Sequence, residues 1–285
     1  PTKKPTMVTN LDQIKVSGED GKAPKVEGAW PLAIAKTESK ILKEGTGEKV
    51  DKNATLKVNY VGVNGRTGKE FDSSYKRGTT ADFPLAQVVP GFAKGLVGKH
   101  QGDRVLIMMP GSDGYDSQGG APQAGIMKGD SLIFVVDIVA IPLPKATGET
   151  VKPAAGLPTV KEVQGAPAVT IGKATKPNKL VVQPLIKGKG AAVTAHDSID
   201  VKYRTYAWSS GELIEDGYSG EPVTGSMNSV IPGWKKGLIG QTVGSRVMLI
   251  VPPADAYPNG STNPPVKKGE TLIYVIDILS AQKES

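Results

Sequence analysis

The side chains that could do covalent or metal chemistry are few, and none stands in a pattern that does it. Cysteine is absent, which removes thiol catalysis, disulfides and thiolate metal sites together. His100 and His196 have no partner motif, and a solvated surface position accounts for each. The stretch GYSGE (217–221) lacks the closing glycine of a hydrolase nucleophile elbow. GTGEKV (45–50) and GKGAAV (188–193) hold two glycines of a dinucleotide fingerprint, miss the third and run into strands, so they read as turns. No nucleophile, proton relay or ligand set remains. The aromatics are scarce, 5% of the chain, and each alone reads as core; Asp72 alone reads as a turn aspartate.

The elements that must position these residues come in two copies. Offset by 143, LKVNY (56–60) meets IDVKY (199–203) and GKEFDSSY (68–75) meets GELIEDGY (211–218). LKEGTG (42–47) likewise meets LIKGKG (185–190), and Pro24–Val26 meets Pro167–Val169. One residue is then lost, and VVPGFAKGLVG (88–98) superposes on VIPGWKKGLIG (230–240). GDRVLIMMP (102–110) meets GSRVMLIVP (244–252), and KGDSLIFVVDI (128–138) meets KGETLIYVIDI (268–278). A chain of 285 residues accommodates two such domains. The expected layout is a polar leader and tether over 1–23, a domain over 24–141, a Pro/Gly/Thr-rich linker over 142–156 and a second domain over 157–285.

Within each copy TLKVNYVGV alternates as a strand, NGRTG turns a hairpin into KEFDSS, and RVLIMMP and SLIFVVDIV are apolar runs of strand length. One short helix is expected, with Pro90 in its first turn and Gly98 as its left-handed stop. Phe92 and Leu96 share one face of it, as do Trp234 and Leu238. The fold class is therefore α+β and β-rich: twice over, an antiparallel half-barrel sheet wrapped on one short helix.

Taken in order and spacing, VNYVG, KEFDSS, VVPGF with its GL, the Pro110–Tyr115 loop and LIFVVDI resemble the macrolide-binding peptidyl-prolyl isomerases, the FKBP family. The resemblance covers about 100 residues of each half, and five motifs in register make it specific. It implies prolyl cis/trans isomerisation in an apolar pocket, without cofactor or metal. The implied catalytic residues are Tyr60, Phe71, Asp72, Val89, Tyr115 and Phe134, with Phe83, Val88, Phe92 and Ile126 binding substrate. The Val89 N–H and the Tyr115 hydroxyl are the implied donors to substrate. Asp72 meets the displaced carbonyl or holds its neighbours, with Arg77 placed to pair with it. The second copy offers Tyr203, Ile214, Glu215, Val230, Ile231, Trp234, Tyr257, Val266 and Tyr274, with Gly225 near the Phe83 position and Gly220 at that of Arg77. Trp30 and Trp208 match no pocket position and read as packing or interface residues.

A net charge of +7 is mild for this length, lysines are scattered, and nucleic acid is not an expected partner. No apolar run nears the ~18 residues of a membrane helix. Proline-containing peptides, unfolded clients and macrolide inhibitors are the implied ligands. The leader VSGEDGKAPKV resembles those of secreted, lipid-anchored tandem members from actinobacteria. Because the chain opens on Pro1, it reads as a processed form, extracellular and tethered upstream. The alternative is a non-catalytic chaperone or scaffold for proline-containing segments.

Overall fold

The computed structural model describes residues 3–284, so Pro1 and Thr2 of the expected leader and Ser285 of the expected second domain lie outside the described residues. Two compact units meet at Ile141/Pro142. The first holds β1 (Glu38–Lys43), β2 (Thr55–Asn64), β3 (Glu70–Ser73), α1 (Ser74–Arg77), β4 (Ala81–Pro84), α2 (Pro90–Leu96), β5 (Arg104–Met109) and β6 (Leu132–Ala140). Its six-stranded sheet runs β1-β5-β6-β2-β3, with β4 also on β2, and every pair is antiparallel.

The second unit repeats that order with β7 (Val181–Gly188), β8 (Asp197–Ala207), β9 (Leu213–Asp216), β10 (Val223–Ser226), α3 (Pro232–Leu238), β11 (Arg246–Val251) and β12 (Leu272–Lys283). The one-turn helix α1 is an addition to the single helix expected. Ser73 caps it by accepting from the Lys76 N–H at 3.4 Å.

Period-two alternation places Leu56, Val58, Tyr60, Val105, Ile107, Met109, Leu132, Phe134 and Val136 on the inner face, under α2. Val61, Val63, Leu106, Met108, Ile133 and Val135 point outward, yet they too are buried. Their cover is the leader. Thr6–Met7 pairs in parallel with Leu32–Ala33, Lys15–Ser17 forms a hairpin with Lys25–Glu27, and Val8, Leu11, Ile14, Leu32 and Ile34 press on the outer face. The leader is therefore not a tether with little to bury. Its apolar residues sit at turn and strand positions that face one way, and each buried one contributes ~1.5–3 kcal/mol of transfer free energy.

The second unit covers the same face with the hairpin Thr159–Val163 and Ala166–Thr170, which brings Val160 and Val169 onto Met248, Ile250 and Ile273. Trp30 and Trp208 pack in these outer clusters, as expected of residues outside the pocket. The expected linker is also laced down. Leu143 and Thr147 donate backbone hydrogen bonds to Leu279 and Gly244, each at 2.8 Å, and Gly148–Thr150 adds an edge strand to β7. Carbonyls of β12 and of the turn before β11, and the open edge of β7 for residues 148–151, give this segment partners that a flexible linker would lack.

The repeated helical phrase has a packing reason. A β-carbon on Gly95 would stand 2.7 Å from Ile107 Cδ1, and one on Gly237 2.6 Å from Leu249 Cδ2. Glycine there lets the helix backbone lie directly on the sheet, with Phe92 and Leu96, or Trp234 and Leu238, driven into the core.

Candidate active site

All ten of the first-copy residues expected to bind or turn over substrate, except Asp72, belong to or pack against one apolar cluster on the inner face. Tyr60, Phe83, Phe92, Ile126 and Phe134 are buried; Phe71, Val88, Val89 and Tyr115 are half-buried around them. Phe92 lies 4.5 Å from Phe134 and 4.6 Å from Phe83, ring centre to ring centre. Phe71 meets Phe134 edge-on at 5.6 Å, and Tyr60 closes the ring of aromatics 5.1 Å from Phe83. Tilted and edge-on contacts of this kind add ~0.5–1.5 kcal/mol each beyond burial, which fixes the rings in place.

The polar edge of this cluster is a three-residue network. The Tyr60 hydroxyl donates to Asp72, and Arg77, at the end of α1, donates to Asp72 and, at 3.2 Å, to the Tyr60 oxygen. Burial, then the hydrogen bond to Asp72, push the Tyr60 phenol up to about 12. Both Asp72 oxygens are thus engaged, so of its two expected roles the geometry favours holding neighbouring side chains. By contrast, the Val89 N–H and the Tyr115 hydroxyl have no hydrogen-bond partner among the described residues. Burial and then the Asp72 charge raise the Tyr115 phenol, so it is a protonated donor at neutral pH. Two unpartnered donors are therefore carried by residues packed against the ring cluster.

The second copy gathers Trp234, Val266 and Tyr274 in its core, with Tyr203, Ile214, Val230, Ile231 and Tyr257 packed against them. Trp234 stands perpendicular to Tyr203 at 5.0 Å and to Tyr274 at 5.5 Å. Its indole N–H is buried without a partner among the described residues. Gly225 opposes Ile199 as Phe83 opposes Leu56, so the lost aromatic is at the register position expected. The Ile231 N–H and the Tyr257 hydroxyl are again without partners among the described residues.

Glu215 is held differently from Asp72. It accepts from Tyr203 and from Thr205, each at 2.9 Å, and among the described residues no arginine joins them. Burial and the Glu215 charge raise the Tyr203 phenol.

Thr205 and its counterpart Gly62 are site residues that the sequence reading did not single out. Gly62 pairs with Phe134 on one side and Asp72 on the other, and a β-carbon there would come within 2.7 Å of the Phe71 ring and 2.9 Å of Phe134. Thr205 pairs with Tyr274 and Glu215 and is wholly buried. Gly with Phe in one copy and Thr with Ile in the other is one compensated exchange. The offset of 143 that aligned the copies carries that signal (62 to 205, 71 to 214).

The sequence profile described as FKBP-type peptidyl-prolyl cis-trans isomerase matches residues 46–139 and again 189–279. Over 117 residues the chain is 32% identical to the "Probable FK506-binding protein" of Corynebacterium glutamicum, covering 40% of this chain and 98% of that one. It is 40% identical over 100 residues to the FK506-binding protein of Streptomyces anulatus, covering 34% of this chain and 80% of that protein. With the FKBP-type peptidyl-prolyl cis-trans isomerase FkpA of Escherichia coli K12 it shares 36% identity over 107 residues, which span 37% of this chain and 38% of FkpA.

Proposed function

Since the chain belongs to the FKBP-type peptidyl-prolyl cis-trans isomerase family, with its domain present twice, we propose that the first domain carries most of the isomerase activity and that its clients are exported or surface proteins. The observation that supports the first-domain assignment is the closed set of rings around Phe134, since the unpartnered backbone and phenol donors are common to both copies.

Rotation about an X-Pro bond meets a barrier of ~18–20 kcal/mol because amide resonance is lost in the twisted state. Unaided, the exchange takes tens to hundreds of seconds. Water stabilises the planar, charge-separated amide. The aromatic surface of Phe71, Phe92 and Phe134 withdraws that water, which favours the less polar twisted state. The prolyl ring packs on Phe92, while the Val89 N–H and Tyr115 hydroxyl hold substrate carbonyls as the bond turns. Asp72, pinned by Tyr60 and Arg77, keeps the wall in place. A rate gain of 10⁴ requires only ~5.5 kcal/mol, within reach of desolvation and two hydrogen bonds.

The second domain acts mainly as a weaker module that holds proline-containing segments. Gly225 opens one wall, Ile214 replaces an aromatic, and the buried Tyr274 brings a phenol where the first domain has the ring of Phe134 alone. Macrolides bind more tightly to the first domain for the same reason.

The protein acts outside the cell, anchored at its surface, a placement supported by the resemblance of VSGEDGKAPKV to the leaders of secreted tandem relatives. Protease treatment of intact cells tests that placement: full protection of the protein refutes it. The functional reading as a whole is tested by prolyl isomerisation of a proline-containing peptide with the full chain, and an inactive chain refutes it.

A further inference from the structure

We propose that the second site selects proline-containing segments carrying a lysine or arginine beside the proline, and that Glu215 makes the selection. The proposal rests on reading this site as a prolyl-peptide site and goes further in assigning the charge of its ligand.

In the first domain the acid of the site is neutralised. Arg77 pairs with Asp72 and reaches on to the Tyr60 oxygen, so a peptide meets a carboxylate already balanced by a guanidinium. In the second domain the corresponding acid is held by two hydroxyls, Tyr203 and Thr205. Hydroxyl donors fix the position of both carboxylate oxygens and leave the charge whole. The arginine on the adjoining strand, Arg204, is engaged by Asp216 at 2.9 Å, and Gly220 stands where the first copy has Arg77. Among the described residues no lysine or arginine pairs with Glu215.

The charge is also placed where a ligand would feel it. Glu215 is half-buried beside Tyr203, and it packs opposite Thr205, which in turn pairs with Tyr274. Its field contributes to raising the phenols of Tyr203, Tyr257 and Tyr274 after burial has raised them first. A fixed negative charge at a partly dehydrated apolar surface attracts a cationic side chain more strongly than the same charge in water, because the local dielectric is lower. Lysine and arginine suit it further, since their alkyl stems lie along apolar surface while the charged head reaches the acid.

The test uses the full chain labelled with nitrogen-15, titrated with three peptides that differ only in the residue before proline: Lys, Leu or Glu. The indole N–H signal of Trp234 reports on the second site. The Lys peptide is expected to bind about tenfold more tightly than the Leu peptide, ~1.4 kcal/mol, and the Glu peptide least. Raising the salt to 0.5 M should narrow that order, because exposed parts of the interaction are screened. Glu215→Gln, isosteric and still able to accept from Tyr203 and Thr205, should erase the preference. Arg77→Gln should create the same preference at the first site, read at Tyr115. Equal binding of the three peptides at wild-type Trp234 overturns the proposal while leaving the prolyl reading intact. A preference that survives Glu215→Gln, or one that fails to arise with Arg77→Gln, overturns the role given to the uncompensated acid. Binding of none of the peptides at either site, with no isomerisation, overturns both readings.

Discussion

Phe71 lies against Gly62 across the β2–β3 pair, so closely that a β-carbon on residue 62 would stand 2.7 Å from its ring. This contact lets Phe71 meet Phe134 edge-on and form the wall of the first site. The second copy fills the same space with Thr205 and retreats to Ile214. Gly62→Thr should therefore push Phe71 outward, costing ~1–3 kcal/mol as overpacking does and lowering the isomerase rate severalfold. Adding Phe71→Ile should recover stability but not rate, a coupling that denaturation of the four members of the cycle measures. Additive losses would show that the two positions do not share the space.

The helix–sheet contact makes a second prediction. Ala is the better helix former by ~1 kcal/mol, yet Gly95→Ala should destabilise the first unit. Its methyl would stand 2.7 Å from Ile107 Cδ1, and overpacking of ~1–3 kcal/mol outweighs the propensity gain. A urea midpoint that rises instead would mean that the helix can lift from the sheet without loss.

The outer face makes a third. Leu11 is 7% exposed and packs with Val8 and Ile14 over the β5–β6 strands, so Leu11→Ala should cost ~2–5 kcal/mol in chemical denaturation. A cost below ~0.5 kcal/mol would return this segment to the status of a tether.

The leader was misread for a physical reason that the strands themselves disclose. A sheet with one wet face alternates apolar and polar residues, whereas VLIMM (105–109) and LIFVV (132–136) are apolar without a break, which a strand covered on both faces requires. Val8, Leu11 and Ile14 are too few and too widely spaced among polar residues to announce themselves as that cover. The helix, by contrast, was legible from Pro90 to its left-handed Gly98, whose φ is 87°, because proline and glycine act locally. The ring of aromatics was legible only through register between copies and the family resemblance. The Tyr60–Asp72 bond spans 12 residues and joins neighbouring strands, so no local pattern marks it. Nor could composition show that residues 148–151 would find edge partners on β7, or that Leu143 and Thr147 would bond Leu279 and Gly244.

Tyr60 makes a pH-dependent prediction. Its phenol is raised from 10.0 to about 12 in the folded state, first by burial and then by Asp72. A group with a raised folded value contributes stability that is complete below pH 10 and is lost as pH climbs toward 12, since the unfolded chain ionises first. The stability gap between the wild type and Tyr60→Phe should thus be constant from pH 7 to 9.5 and shrink above pH 10. A gap that widens with pH would reverse the sign and deny Tyr60 its role as a buried donor.

The central claim is that the first site, through its rings and its free donors, performs most of the prolyl isomerisation. Its most direct measurement is the cis/trans exchange rate of one proline-containing peptide with four full-length proteins: wild type, Phe71→Ala, Tyr115→Phe and Trp234→Ala, each with and without a chelator. The account predicts at least a tenfold loss, ~1.4 kcal/mol of barrier, for Phe71→Ala and a clear loss for Tyr115→Phe. It predicts a rate close to wild type for Trp234→Ala and no effect of the chelator. A rate that collapses with Trp234→Ala and survives Phe71→Ala would contradict it, placing the catalytic site in the second domain.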